Sequence, residues 1–391
     1  MIKYEIQKII VNKTTLVFLT FVLIINNVNI FKNYYQDSEM DPVYPVYLEI
    51  YQEIQGKNLE LCKNIIETEL LTVSEKGEKR YLYTTAYEEL LQEIEEIQRL
   101  DERRNELGKC SAEKAENLKK TSLYLHNLNS KYADIYINTK IDSYYNINGI
   151  EELINYKFHY ILIIVLIISV VSSVFTEEKT KGTYEIIKTT KNGYKKLAFI
   201  KVVSVLTFVA ILQLLFSICN YICFKICYKF DGIFQPIYMI RNYRELPVDG
   251  DIIYFLVKNC ILGFLGIAIM ALVVVMISLV FNEVKSSVVS SVVFMIFLIL
   301  LRACYYFGKG KIINLLNPVH CLLGEKVILY FENIKIGNWV IENQYIVVII
   351  AALEIFLILK SIVFIYENNI DIMNFSYKLK TIIDGTGGKD D

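Results

Sequence analysis

Gly182-Thr-Tyr-Glu-Ile-Ile187-Lys188-Thr189 comes within one residue of the phosphate-binding pattern G-x-x-x-x-G-K-[ST]. Ile187 stands where a second glycine would let backbone amides wrap the phosphates, and a branched side chain blocks that conformation. The strand that should precede such a loop is replaced by an apolar span, so this chain is not expected to hydrolyse a nucleotide. Gly308-Lys-Gly310-Lys311 and Gly385-Thr-Gly-Gly388-Lys389 lack the spacing altogether. Cys219, Cys223 and Cys227 recur every four residues on one helical face. That face could hold a soft metal or simply pack small polarizable side chains. His126, His159 and His320 lie far apart in sequence and suggest no metal or catalytic cluster; neither H-E-x-x-H nor G-x-S-x-G occurs. Two charges fall inside apolar stretches, Arg302 and Glu354. They could form an intramembrane ion pair, or Arg302 could snorkel from a span end.

The elements that must position these residues are membrane spans. Of 391 residues, 54% are hydrophobic and 21% charged, with a formal net charge of −1. That near-neutral sum removes nucleic acid as a default partner. Stretches 158–175, 197–224, 252–281, 286–307 and 345–366 can each cross a bilayer of roughly 30 Å at about 1.5 Å per residue. Leu16 to Phe31, following Lys3, Lys8 and Lys13, makes six. No alanine precedes Ala86, so an A-x-A cleavage site is missing and this stretch reads as an uncleaved first helix. Asn26, Asn27 and Asn29 make its outer half polar, and the span is expected to end there in a turn. The expected fold is an all-α polytopic membrane protein: six transmembrane helices with a helical extracellular domain inserted between the first and second.

Direction follows from the basic residues. Segment 176–201 carries seven lysines and the N-terminus three more, which places both in the cytoplasm. Both termini of this multi-pass cell-membrane protein are then expected in the cytoplasm. The division is 1–31 for an interface helix and first span, 32–157 for the extracellular domain and 158–175 for the second span. A cytoplasmic loop follows at 176–200, then spans three to six at 201–366 with outer loops 225–251 and 308–344, and a cytoplasmic tail at 367–391. Ser286, Ser287, Ser290 and Ser291 give two small-xxx-small pairs suited to close helix packing.

Segment 32–157 holds 24 acidic and 16 basic side chains, a net of −8. Its periodicity is helical: Tyr47, Tyr51, Ile54, Leu61 and Ile65, then Tyr87, Leu90, Ile94 and Ile97, then Leu118, Leu125, Leu128 and Tyr132. Thr85 and Glu88 have capping-box spacing for the second of these helices, and Gly108 with Ser111 punctuates its end and the start of the third. Such stripes suit the core of a small bundle. The acidity would also favour a cationic ligand. With two cysteines there, Cys62 and Cys110, a disulfide framework is not expected.

The stretch Phe175-Thr-Glu-Glu178-Lys-Thr-Lys-Gly182-Thr183-Tyr-Glu185-Ile-Ile-Lys-Thr-Thr190, continuing to Lys201, carries a resemblance. It resembles the cytoplasmic loop between the second and third helices of ABC-2-type transporter permeases. In that family a phenylalanine ends the second helix, E-x-x-x-G-T follows, and a lysine opens the third helix after a turn. Phe175, Glu178, Gly182, Thr183, Thr190 and Lys201 match. The turn departs, with Lys191 where the family usually has proline, and Lys195 or Lys196 in place of its arginine. Tyr4-Glu5-Ile-Gln-Lys8 through Lys13 is similar to the family's amphipathic N-terminal helix. Asn317-Pro318 resembles its short elements before the sixth helix. The motifs cover about forty residues, and none covers the domain 32–157.

The resemblance implies an exporter's membrane subunit that binds no cofactor itself, with ATP and Mg held by a separate ATP-binding cassette subunit. It also implies a second permease, the same or different, beside it in the lipid bilayer. Phe175, Glu178, Gly182, Thr183, Glu185, Thr190 and Lys201 would couple the two chains, without this chain being an enzyme. Substrates allowed by the family include antimicrobial peptides, drugs, lipids and sodium; the acidic domain tilts the reading toward a cationic peptide. Two alternatives stand beside it. One is a membrane sensor or immunity protein that binds a peptide without moving it. The other is an ion-coupled secondary transporter, although the internal repeats and interrupted helices of that class are not found.

Overall fold

The computed structural model describes residues 2–73, 79–137, 141, 143–183, 195–303, 315–329 and 334–368. Helix α1 (Ile2–Ile10) precedes α2 (Lys13–Met40), and Asn12 opens the second, its Oδ1 accepting from Thr14 N at 3.1 Å. The polar domain follows as α3 (Tyr44–Ile54), α4 (Leu59–Thr72), α5 (Arg80–Leu118) and α6 (Leu123–Ile137). The second apolar stretch is three helices in succession, α7 (Asn148–Asn155), α8 (Phe158–Val171) and α9 (Ser173–Thr180). Then come α10 (Lys195–Tyr228), α11 (Ile252–Val280) and α12 (Val284–Ala303). Short α13 (Pro318–Cys321) and α14 (Gly324–Leu329) lead through a hairpin to α15 (Asn343–Asn368).

Among the described residues, six helical stretches are long and apolar enough to cross a membrane: Lys13–Gln36, Asn148–Thr180, Lys196–Tyr228, Ile252–Val280, Val284–Arg302 and Asn343–Glu367. The chain is therefore an all-α polytopic membrane protein in its main architecture. Helix α11 is the hub, packed against α8, α9, α10, α12, α13, α14 and α15. Its Ile267, Ala271 and Val274 are fully buried. Helices α2, α12 and α15 instead turn large apolar side chains outward, such as Phe21, Phe297 and Phe356. So much outward apolar surface on helices with internally satisfied backbones is what a bilayer covers. Of the serines, Ser287 and Ser291 are fully buried on one stripe of α12.

The asparagines of α2 correct one expectation. They do not end the span; α2 runs on to Met40, and Asn26 is buried in mid-helix. Asn26 Nδ2 donates to Asn220 Oδ1 at 2.7 Å, and Tyr156 OH donates to Asn26 Oδ1 at 3.1 Å. Cys219 and Cys223 both bond Asn27 Oδ1, at 3.2 and 3.6 Å. Amides that satisfy each other across helices let the helix continue through apolar surroundings.

Within the polar domain, Tyr47, Tyr51, Ile54, Tyr87, Leu90, Ile94 and Ile97 are buried as their spacing predicts. Helix α4 differs in phase: Leu61 is exposed, and Leu59, Cys62 and Ile66 face the core. The expected break at Gly108 and Ser111 does not occur, because α5 is continuous over 39 residues, about 58 Å. Thr85 lies inside it and donates to Tyr81 O at 3.0 Å rather than capping a start. Gly108 serves the α5–α6 contact, where a Cβ would sit 2.8 Å from Ile137 Cγ1. Cys62 and Cys110 are both free thiols, the first buried and the second exposed.

The domain is tied to the loops at one end of the bundle. Arg104, fully buried on α5, donates to Arg244 O at 2.8 Å and Leu246 O at 3.2 Å, between the rings of Tyr136 and Tyr238. Lys131 pairs with Glu342. Strands β1 (Ile334–Ile336) and β2 (Trp339–Ile341) pair antiparallel, Ile334 opposite Ile341, a small departure from an all-helical chain. Helix α1, the end of α9 and the end of α11 gather at the opposite end.

Candidate functional site

At that opposite end, helical phase forces charged residues inward. On α10 the buried stripe reads Leu197, Ala198, Lys201, Ser204, Val205 and Phe208, so Lys201 sits in the core with no exposed surface. On α9 the stripe Val174, Phe175 and Glu178 brings a carboxylate to meet it. Lys201 Nζ lies 2.6 Å from Glu178 Oε2 and donates to Val174 O at 2.6 Å. It also stands 4.5 Å from the centroid of the Phe175 ring, and that ring packs against Tyr366 of α15 with centroids 5.7 Å apart. Burying an ammonium is costly unless it is paired, and here a carboxylate, a carbonyl and a ring face share the task.

The N-terminal helix and the residues flanking Glu178 complete the knot. Lys8 of α1 reaches Glu177 at 3.8 Å and Glu178 at 3.9 Å, with Glu5 buried one turn earlier. Glu5 and Ile9 share the inward face of α1, an i, i+4 signal that was available in the sequence. Lys179 donates to Leu279 O and to Phe281 O at the end of α11, supplying the last carbonyls with a cation. A cavity of about 270 Å³ lies beside the knot, lined by Lys8, Asn12, Thr15 and Glu177 among others. The described residues contain no cluster of three metal-ligating side chains. Charged side chains join α1, α10 and α11 to α9, and the Phe175–Tyr366 ring contact adds α15.

Past Glu178 the chain turns sharply. Gly182 takes φ +68°, donates to Lys179 O at 3.1 Å, and among the described residues has nothing within 4 Å of where a Cβ would be. Thr183 Oγ1 donates to Glu178 O at 3.3 Å. Phe175 does not end its span, since the helix continues to Thr180 after a break at Ser172, and α10 already begins at Lys195. The loop expected at 176–200 is shortened accordingly. Glu185 and Thr190, with Lys188 and Lys191, lie outside the described residues, as do Gly308–Lys311 and 369–391 of the tail.

Arg302 and Glu354 do not form the ion pair considered from the sequence. Arg302 donates to Val319 O of α13 at 3.1 Å, and no carboxylate lies within ion-pair distance of it among the described residues. The reason is topological: α12 and α15 both pack on the hub α11, and α12 turns toward α13 and α9 rather than α15.

At the polar-domain end, a cavity of about 520 Å³ is lined by Asp41, Glu89, Glu93, Glu96, Tyr47 and Arg241, among others. Glu93 is buried, and its Oε2 accepts from Tyr47 OH at 3.1 Å and Tyr144 OH at 2.8 Å; the two phenols are 2.6 Å apart. Burial pushes both phenols well above the usual tyrosine range, and the neighbouring Glu93 carboxylate adds to the shift. Burial and the nearby Asp41 likewise raise Glu89. Glu96 is paired with Arg244 at 2.6 Å, which leaves Asp41, Glu89 and Glu93 beside Arg241, an excess of carboxylate that favours cations.

With this geometry in place, the molecule is defined as a class by its own architecture, a helical polytopic membrane protein with six candidate spans among the described residues. No family model, curated protein or solved structure matches the chain.

Proposed function

We propose that this chain is the membrane-spanning permease subunit of an ATP-driven exporter, with hydrolysis on a separate ATP-binding cassette partner. The observation that supports it best is the buried Glu178–Lys201 pair. It joins the N-terminal helix and the start of α10 to the helix that feeds the Gly182 turn, so a push on that turn is delivered to the bundle. In this reading the knot faces the cytoplasm, the polar domain is extracellular, and a second permease completes the pathway. The acidic cavity of the polar domain favours a cationic peptide as the substrate. The same cavity favours a second reading, a sensor that binds such a peptide without moving it.

The deciding experiment is mild-detergent purification of the tagged protein from its native membrane, with mass spectrometry of what accompanies it. A stoichiometric ATP-binding protein is expected; its absence under conditions that preserve such complexes would turn the reading to the sensor. Gly182→Pro then tests the turn, because proline cannot take φ +68° and lacks the N–H that Lys179 O accepts. The variant is expected to insert normally and lose transport. Normal export by a well-expressed variant would remove the turn from the mechanism.

A further inference from the structure

Between α7, α8, α10 and α11 lies a cavity of about 300 Å³ that neither the coupling knot nor the acidic domain uses. Its walls come from spanning helices and include no Asp, Glu, Lys or Arg. Ile218 and Val257, both about half exposed, stand at its rim on the apolar outer face of the bundle. The cavity therefore opens sideways, toward where a bilayer lies.

Its interior contains polar atoms that the protein leaves unanswered. Gln213 is 2% exposed and lies near the middle of α10. Its Nε2 reaches Ser217 Oγ at 3.4 Å and Cys260 Sγ at 3.8 Å, and its Oε1 has no partner among the described residues. His159 is 7% exposed, stacked on Tyr156 at 5.9 Å, and its Nδ1 likewise has no partner among the described residues. A buried, unmade hydrogen bond is expensive in a protein interior and more so at membrane depth. With Asn259 Oδ1 there are three such atoms on residues that line this one cavity, and they call for a guest that brings hydrogen bonds with it.

We infer that this cavity binds the headgroup of an uncharged, hydroxyl-bearing amphiphile entering from the bilayer. A hydroxyl donates to Gln213 Oε1 and can either donate to or accept from His159 Nδ1, as the tautomer requires. An ionised headgroup would find no counter-charge and would stay in the interface. The apolar rim carries the start of the chain, and the rest remains in lipid. This site stands on its own geometry and is independent of the transport reading.

The test uses the full-length protein in nanodiscs with a diazirine-bearing monoacylglycerol as probe. Saturable labelling of peptides around Gln213, Ser217 and Cys260 is expected. Plain monoacylglycerol should compete, and the fatty-acid anion of the same chain should not. Gln213→Leu should weaken the competition about fivefold, the size of one neutral hydrogen bond. Val257→Trp closes the rim from its lipid-facing side and should abolish labelling, and it carries the test if Gln213→Leu does not purify as a folded protein. Labelling that rises linearly with probe, or equal competition by the anion, would overturn the site. So would a Cys260–Cys260 crosslink between two copies at full yield, since a second copy would then be the occupant.

Discussion

Lys201 has no exposed surface and depends on Glu178 for its charge balance, so the two residues should be separable by mutation only at high cost. Removing one partner of a buried pair leaves the other uncompensated, typically about 3–5 kcal/mol, whereas replacing both with apolar groups is often neutral. Glu178→Leu alone is therefore expected to lower the thermal unfolding midpoint of the purified protein sharply, and Glu178→Leu with Lys201→Met to recover most of it. Equal midpoints for the single and double variants would contradict a charge-balance role. The phenols of Tyr47 and Tyr144 make a pH prediction. Their folded pKa values are raised, so the stability they contribute is full below about pH 10, the unfolded tyrosine value, and falls as the pH rises beyond it. In an alkaline titration, tyrosinate absorbance from these two rings should appear together with loss of the domain's helical signal. A smooth titration of both phenols in the folded state near pH 10 would count against their burial beside Glu93.

Helix α5 shows what a sequence conveys about an element and what it withholds. The stripe Tyr87, Leu90, Ile94 and Ile97 was legible because one face of a helix repeats every three to four residues. The six spans were legible for a simpler reason, the length of their apolar runs. Gly108 was misread as a stop. A glycine at a helix end and a glycine at a close crossing look alike in sequence, and only the position of Ile137 distinguishes them. The same limit hid the asparagines of α2, whose partners Asn220 and Tyr156 lie far along the chain. At the knot, Phe175, Glu178 and Lys201 could be picked out by pattern, while Glu5, Lys8 and Tyr366 needed the packing to bring them there. Gly108→Val puts this to use: it should overpack the α5–α6 crossing and cost about 1–3 kcal/mol. The polar domain should then become protease-sensitive while the spans stay folded. An unchanged digestion pattern would mean that the helices can part without cost.

For the whole molecule, the proposed orientation has a chemical handle. Among the described cysteines with an assigned exposure, Cys110 is the exposed one, on the polar domain. A membrane-impermeant maleimide should modify intact cells at Cys110 and lose that signal in Cys110→Ser. Modification only after permeabilisation would invert the topology. The hydrogen bond from Asn26 to Asn220 has a consequence in time as well as in space. Its two residues are 194 positions apart, so at about 5–20 residues per second the first span is made roughly 10–40 s before the helix that answers it. Through that interval the amides of α2 lack their partner on α10, and hydrocarbon is a poor place to wait. The first span should therefore linger beside the insertion machinery until the third emerges, a delay that crosslinking of stalled nascent chains would read directly. Biogenesis of this protein would then be a handover between helices rather than a sequence of independent insertions.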